Sequence, residues 1–177
     1  MGEEVGRLPA LLELIAAANP GKDRVGPEEV LPLLGDSGGV PPWDLTDAID
    51  RGETAKSVEL LRRMMGAGGR HPLAVMATLQ THYDRMLRLD GSGVRDESAA
   101  AALLGMKGST FPAKKAMAQG ARLGHVKLAR SIGLLAKADV DLRGATATPP
   151  EAVMELLVAR LAALAGSAAA PSRRGRL

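Results

Sequence analysis

The chain lacks cysteine and contains only three aromatic residues, Trp43, Tyr83 and Phe111. Without thiols it can form neither a disulfide scaffold nor a thiolate metal site, and it has no cysteine nucleophile. It shows no signal-peptide pattern and no apolar run of the about 18 residues typical of a membrane-spanning helix. From these absences we expect a soluble, cytoplasmic protein. Because 46% of its 177 residues are apolar and only three are aromatic, we expect an aliphatic and methionine-rich core.

Charge is unevenly distributed along the chain. Residues 1–42 carry three basic and seven acidic groups, whereas residues 91–145 carry nine basic and four acidic groups. A basic segment of this kind can attract phosphate or an acidic protein surface, and it is also typical of an ordinary solvated surface.

Helix-breaking residues divide the sequence into two parts. The run Gly35–Pro42 is the densest interior cluster of glycine and proline, so we predict a short domain over residues 1–40 and a main domain over residues 41–165. The first part is predicted to hold a helix over Leu8–Ala18 and a second helix that begins at Pro27. Residues 166–177 are predicted to form a disordered basic tail.

The main domain shows helical signals throughout and no convincing strand alternation. Asp44 is predicted to cap its first helix, and Gly52 to end it. The predicted class is therefore all-α, with a bundle of six to seven helices. Their predicted ranges are 44–51, 53–65, 72–89, 97–104, 111–120, 125–143 and 151–164.

Two of these helices carry apolar stripes that predict buried faces. On the helix over 125–143, Asp139 shares its stripe with leucine and isoleucine, where a carboxylate needs a cation or a backbone donor. We expect Asp139 to pair inside the bundle or, as a second hypothesis, with an arginine across a subunit interface. The stripe on the helix over 72–89 comprises Leu73, Val75, Met76, Leu79, Gln80, Tyr83, Met86 and Leu87.

Motifs typical of enzymes and metal sites are incomplete here. The string Gly35-Asp36-Ser37-Gly38-Gly39 resembles a serine-protease nucleophile motif, but no histidine precedes it and no strands are predicted. His71, His82 and His125 are widely spaced without carboxylate clusters, so we interpret each as a surface or helix-end residue. The glycines of residues 66–69 follow a helix and lack the lysine of a phosphate-binding loop. We therefore predict no catalytic, cofactor or metal site and no small-molecule substrate.

Residues 98–119 have the proportions of a helix-turn-helix, which suggests a stand-alone DNA-binding protein as an alternative function. Lys107, Lys114 and Lys115 are the candidate phosphate contacts of this segment. Beyond the lysines it offers as base readers only Gln119, Ser109 and Thr110, so any contact would be mainly to phosphate. Two short packed helices of a bundle produce the same pattern.

Seven segments of the main domain follow one another in a characteristic order: Trp43–Ile49, Gly52, Val58–Leu61, His71–Met76, Ala102–Met106, Lys114–Ala116 and Leu134–Arg143. Their order and spacing resemble the C-terminal domain of the delta subunit of bacterial DNA polymerase III. The resemblance covers about residues 43–165 and rests on order and spacing, since each motif alone is a helix-packing pattern.

The resemblance implies a clamp-loader subunit of the DNA polymerase III holoenzyme. In that family, the helical C-terminal domain is a collar that joins the subunits of the loader, and it follows an AAA+-related domain and a helical lid. Residues 1–40 would be a remnant of the lid, and the chain would be the C-terminal part of a longer protein without the clamp-binding domain. The implied partners are the other clamp-loader subunits and, through the complex, DNA. The delta subunit does not hydrolyse ATP but serves a polymerase, so whether to class the chain with enzymes stays open.

Overall fold

The computed structural model describes residues 8–22, 25–26, 40–66 and 68–167, and within them it contains eight α-helices and no strand. The predicted all-α class is confirmed. The predicted helix at Pro27, the Gly35–Gly39 string and the basic tail after Ser167 lie outside the described residues. The helices are α1 (Leu8–Ala18), α2 (Pro42–Arg51), α3 (Thr54–Met65), α4 (Pro72–Leu89), α5 (Glu97–Leu103), α6 (Phe111–Leu123), α7 (His125–Val140) and α8 (Pro150–Gly166).

The chain divides into two compact units, Met1–Gly39 and Val40–Leu177. The division falls inside the glycine- and proline-rich run where the sequence predicts a domain boundary. Helix α1 belongs to the first unit and has the predicted bounds. Helices α2 to α8 belong to the second unit, in agreement with the predicted six to seven helices.

Local signals explain where several helices begin. Helices α2, α4, α6 and α8 each have proline in the first turn, where no backbone N–H is needed. At α4 the ring Nδ1 of His71 accepts a hydrogen bond from the backbone N–H of Leu73, and at α5 Asp96 accepts one from Ala99. The prediction for α2 was wrong in detail, because Asp44 lies within its first turn and makes no capping hydrogen bond. Its carboxylate there is still favourable to the helix dipole.

The ends of three helices differ from the predicted ones by two residues or more. Helix α6 continues to Leu123, three residues past the predicted end, and includes Gly120. Helix α7 ends at Val140 and is followed by a π-helical turn over Asp141–Ala145, in which Gly144 has a φ of 100°. Helix α8 continues through Gly166, which the sequence assigns to the tail.

Helix α8 lies at the centre of the second unit, packed against α2, α3 and α7. Its side chains Met154, Val158 and Leu161 are fully buried. They belong to one aliphatic and methionine-rich core with residues from α2, α3, α4 and α7, as the composition predicts. A second, smaller core of mostly alanine joins α5 to α6.

The buried stripe of α4 is narrower than the sequence predicts. Val75, Met76, Leu79, Tyr83 and Met86 are buried, whereas Leu73, Gln80 and Leu87 are exposed. The predicted stripe spans about 160°, but a face of roughly 100° is enough to contact the neighbouring helices.

Across the ranges that the structure describes, no helix combines the length and apolarity required to cross a membrane.

Candidate protein-binding groove

A groove of about 450 Å³ lies between α2, α4 and α6. It is called here the Trp43–Phe111 groove, after the two aromatic side chains that line it. Both are large and solvent-exposed, Trp43 at 62% and Phe111 at 67%. They are two of the three aromatic residues in the chain, so most of its aromatic surface lies at one site. The polar side chains that line the groove are Thr46, Asp47, His82, Arg85, Lys115 and Gln119.

Helical periodicity places these side chains along the groove. Trp43 and Asp47 are four residues apart on α2, and Phe111 and Lys115 are four residues apart on α6, so each pair shares a helix face. Trp43 follows two prolines, and it lies in the first turn of α2, where no preceding turn covers it. The opposite face of α2, with Leu45, Ala48 and Ile49, is fully buried.

Two pairs of a basic and an acidic side chain join the helices of the groove. Lys115 of α6 contacts the Asp47 carboxylate of α2, and both side chains are about 30% exposed. His82 Nε2 of α4 lies 3.1 Å from Asp50 Oδ1 of α2, with side-chain exposures of 13% and 9%. These pairs connect α2 to α6 and to α4.

Arg85 and Gln119 have unused hydrogen-bonding capacity in the groove. Within the described residues, the guanidinium of Arg85 pairs with no carboxylate. The Oε1 atom of Gln119 is buried and accepts no hydrogen bond. A buried acceptor without a partner is energetically costly, but a buried atom is not open to a ligand in the groove. As far as the described residues show, the groove thus offers one unpaired cation and two exposed aromatic surfaces.

A second groove of about 410 Å³ adjoins the first on the other side of Trp43. It lies between α2 and α4, and it shares Trp43, Thr46, His82 and Arg85 with the Trp43–Phe111 groove. Trp43 therefore stands between two concave surfaces and is accessible from both.

The three predicted phosphate contacts do not form one free cationic patch. Lys107 is exposed in the loop between α5 and α6, whereas Lys114 pairs with Glu97 of α5 at 3.1 Å and Lys115 with Asp47 of α2. The predicted base readers are also engaged or covered. Thr110 donates to Glu97, Ser109 accepts from the backbone of Phe111, and Gln119 has its carbonyl oxygen buried.

Asp139 is not an isolated buried carboxylate. Its carboxylate accepts hydrogen bonds from Arg143, one turn further along, at 2.9 and 3.3 Å, and from Gln80 of α4 at 3.4 Å. The Arg143 hydrogen bond lowers the pKa of the Asp139 carboxyl, against an opposing effect of desolvation. Because the side chain is 24% exposed and its cation comes from its own chain, no second subunit is required to neutralise it.

The histidines differ from one another more than the sequence predicts. His71 caps α4 and His125 begins α7, so both are helix-end residues as predicted. The prediction for His82 was wrong, since it is largely buried against Asp50. In the part of the chain that the structure describes, no three side chains of histidine, aspartate or glutamate come together as metal ligands.

Sequence reasoning missed Trp43, Arg85 and Phe111 as candidate site residues. A signal for two of them was present: in a chain with three aromatics, Trp43 and Phe111 each adjoin a proline at a predicted helix start. At the start of a helix no preceding turn packs against a residue, so one side of its side chain stays uncovered. The unpaired state of Arg85 has no sequence signature, because it depends on which acids the fold brings near.

The fold and the groove define a class of protein. It is an all-helical bundle with an exposed surface that contains aromatic residues and an arginine. No protein-family model matches the chain, and a search of the curated proteins finds no match either.

Proposed function

We propose that this chain is an association module of a bacterial clamp loader, where it joins other subunits in the manner of a collar domain. The observation that carries the proposal of protein association is the Trp43–Phe111 groove. Tryptophan and arginine dominate the binding energy of many protein interfaces, and aromatic residues are enriched in them. Two of the three aromatic side chains are exposed beside an unpaired arginine, and an exposed surface of this kind is typical of one that another molecule covers.

The assignment to the clamp loader rests on the sequence resemblance between Trp43 and Arg143. Seven helices in the second unit, with a central α8 and a long α4, are consistent with a collar-like scaffold. In this role the chain works in the cytoplasm as an accessory subunit of DNA polymerase III, it holds no active site of its own, and DNA is reached through the complex.

The test is reconstitution with the other clamp-loader subunits of the same organism at micromolar concentration. We expect the full chain to co-elute with them in size-exclusion chromatography and to give a complex of defined mass by light scattering. A chain that elutes alone under these conditions would contradict the collar role.

The alternative of direct DNA binding is tested with the same preparation and a short duplex. It predicts an affinity that falls steeply with salt and is lost when Lys107, Lys114 and Lys115 are all replaced by glutamine. We expect weak binding at most, because two of these lysines already pair with carboxylates. Tight, salt-sensitive binding that the triple substitution abolishes would favour the DNA-binding function over the collar.

A further inference from the structure

From the unused groups of the Trp43–Phe111 groove we infer that its occupant is a segment of a neighbouring protein subunit, with a large apolar side chain next to an aspartate or glutamate side chain. This inference rests on the proposed function and specifies the chemistry of the partner. Two features of the groove, one apolar and one cationic, carry it.

The apolar part of the ligand follows from the two aromatic side chains. Trp43 and Phe111 line one groove from different helices and are both more than 60% exposed. Between them, a buried aliphatic or aromatic side chain would remove apolar surface of both partners from water. A volume of about 450 Å³ accommodates such a side chain together with part of the backbone that carries it.

The acidic part of the ligand follows from Arg85. The other two basic side chains of the groove already have acidic partners, since Lys115 contacts Asp47 and His82 lies against Asp50. Arg85 has none among the described residues, so it is the cation that remains for an incoming carboxylate. A guanidinium binds a carboxylate through two parallel hydrogen bonds, a geometry that selects acidic side chains over other acceptors.

A protein segment fits the groove better than a nucleic-acid backbone does. Among the described residues the groove has one unpaired cation, Arg85, between two exposed aromatic side chains, whereas a nucleic-acid backbone would bring several phosphates. The Asp47 carboxylate, which already pairs with Lys115, would repel that additional negative charge. The single unpaired cation therefore favours one carboxylate over a row of phosphates.

The test uses the full chain labelled with 5-fluorotryptophan, which gives a single ¹⁹F resonance because Trp43 is the only tryptophan. The probe is the set of other clamp-loader subunits, unlabelled. We expect the Trp43 resonance to shift on assembly and to lose its sensitivity to exchange of H₂O for D₂O, since the partner excludes water from the indole.

Substitutions then separate the groove from the rest of the chain. We expect Arg85→Glu to weaken the complex by about tenfold or more, and Phe111→Ala to weaken it by a similar factor. The matched control is Lys107→Glu, which makes the same change of charge at an exposed lysine outside the groove and should alter the affinity by less than about twofold. Thermal unfolding of each variant shows that the loss of affinity is not a loss of fold.

Zero-length cross-linking identifies the partner group. The variant Arg85→Lys, treated with a carbodiimide in the assembled complex, should form an amide with an aspartate or glutamate side chain adjacent to a large apolar residue. A cross-link to a chain terminus instead would overturn the predicted acidic side chain.

The outcomes distinguish this inference from the proposed function. If the subunits assemble but the ¹⁹F resonance is unchanged and Arg85→Glu binds like Lys107→Glu, the groove inference is overturned and the association role stands. If the resonance responds to duplex DNA and not to the subunits, the occupant is nucleic acid and the inference is also overturned. If no complex forms, the collar proposal fails and the inference fails with it.

Discussion

Gly52 and Gly166 bring the ends of two helices into backbone contact. A Cβ atom on Gly52 would lie 2.4 Å from the Cα atom of Gly166, far inside van der Waals contact. Gly52 ends α2 in the left-handed region, with a φ of 75°, and Gly166 is the last residue of α8. The absence of both side chains therefore allows the two helix ends to meet, where α8 packs against α2, the helix that carries Trp43.

We predict that Gly52→Ala destabilises the second unit by about 2 kcal/mol or more, through both backbone strain and steric overlap with Gly166. Gly91→Ala is the matched control, because Gly91 has a similar φ of 70° but no atom within 4 Å of an added Cβ. It should cost only about 1 kcal/mol. The free energies of unfolding come from urea titrations of the full chain. Equal losses of unfolding free energy in the two variants would show that the contact with Gly166 does not contribute to stability.

Substitutions of His82 and Asp50, which form a buried pair, should have strongly non-additive effects on the free energy of unfolding. In a double-mutant cycle with alanine, we expect each single substitution to cost about 1–3 kcal/mol, because it leaves a buried polar group without its partner. The control cycle uses His125 and Asp90, which lie closer together at 2.6 Å but with a histidine side chain that is 78% exposed. Its coupling energy should be below about 1 kcal/mol. A stronger coupling in the exposed pair would contradict the role assigned to burial.

Tyr83 should remain neutral in alkaline solution as long as the protein is folded. Burial raises the pKa of its hydroxyl far above the usual value, the charge of Asp50 raises it further, and a hydrogen bond with Ser131 opposes both. Because the unfolded pKa is about 10, the neutral hydroxyl contributes stability that is present below that pH and is lost as the pH rises above it.

Absorbance at 295 nm reports this ionisation cleanly, because the chain contains one tyrosine. We expect tyrosinate to appear only together with the loss of helical circular dichroism, and Tyr83→Phe to reduce the fall of stability above pH 10. A tyrosinate signal near pH 10 in a fully helical protein would show that the hydroxyl is accessible.

The pair of Arg62 and Glu155 joins α3 to α8 and should make stability depend on acid pH. Two hydrogen bonds of 2.7 Å connect the guanidinium to the carboxylate, and the hydrogen bond from Arg62 lowers the pKa of Glu155. A lowered folded pKa means that the contribution is present above the unfolded pKa of about 4.3 and is lost as the pH falls through the folded value.

Glu155→Gln should therefore lower the melting temperature at pH 7, and the difference from the unmodified chain should shrink in acid. Glu59→Gln is the control, because Glu59 pairs with Lys56 within one helix and both side chains are about half exposed. Its effect should be smaller at every pH. A difference for Glu155→Gln that persists at pH 2 would assign its cause to packing and not to charge.

The sequence predicts this fold well where one local signal dominates. Proline in the first turn locates the starts of α2 and α4, and Gly52 locates the end of α2, since these residues act through their own backbone geometry. The sequence signals fail at the ends of α6 and α8. Helix α6 continues past Gly120 to Leu123, and helix α8 extends to Gly166, which contacts Gly52 of a distant part of the chain.

The candidate site was less accessible to prediction than the fold. Charge alone makes the three lysines candidate phosphate contacts, but Lys114 and Lys115 have their acidic partners on other helices. The position of Asp139 on an apolar stripe predicts a buried carboxylate, and its cation, Arg143, is one turn away on the same chain. Charge along a sequence does not show whether a group is free, because ion pairs form between residues that are distant in the chain.

Composition and periodicity alone establish an all-helical protein with an aliphatic core, because the helical repeat and the breaking residues act over a few neighbouring positions. The proposed resemblance to a clamp-loader subunit likewise rests on the linear order of motifs. The Trp43–Phe111 groove, the buried His82–Asp50 pair and the unpaired Arg85 exist only once α2, α4 and α6 pack together. They depend on contacts between residues more than 30 positions apart, which no local pattern encodes.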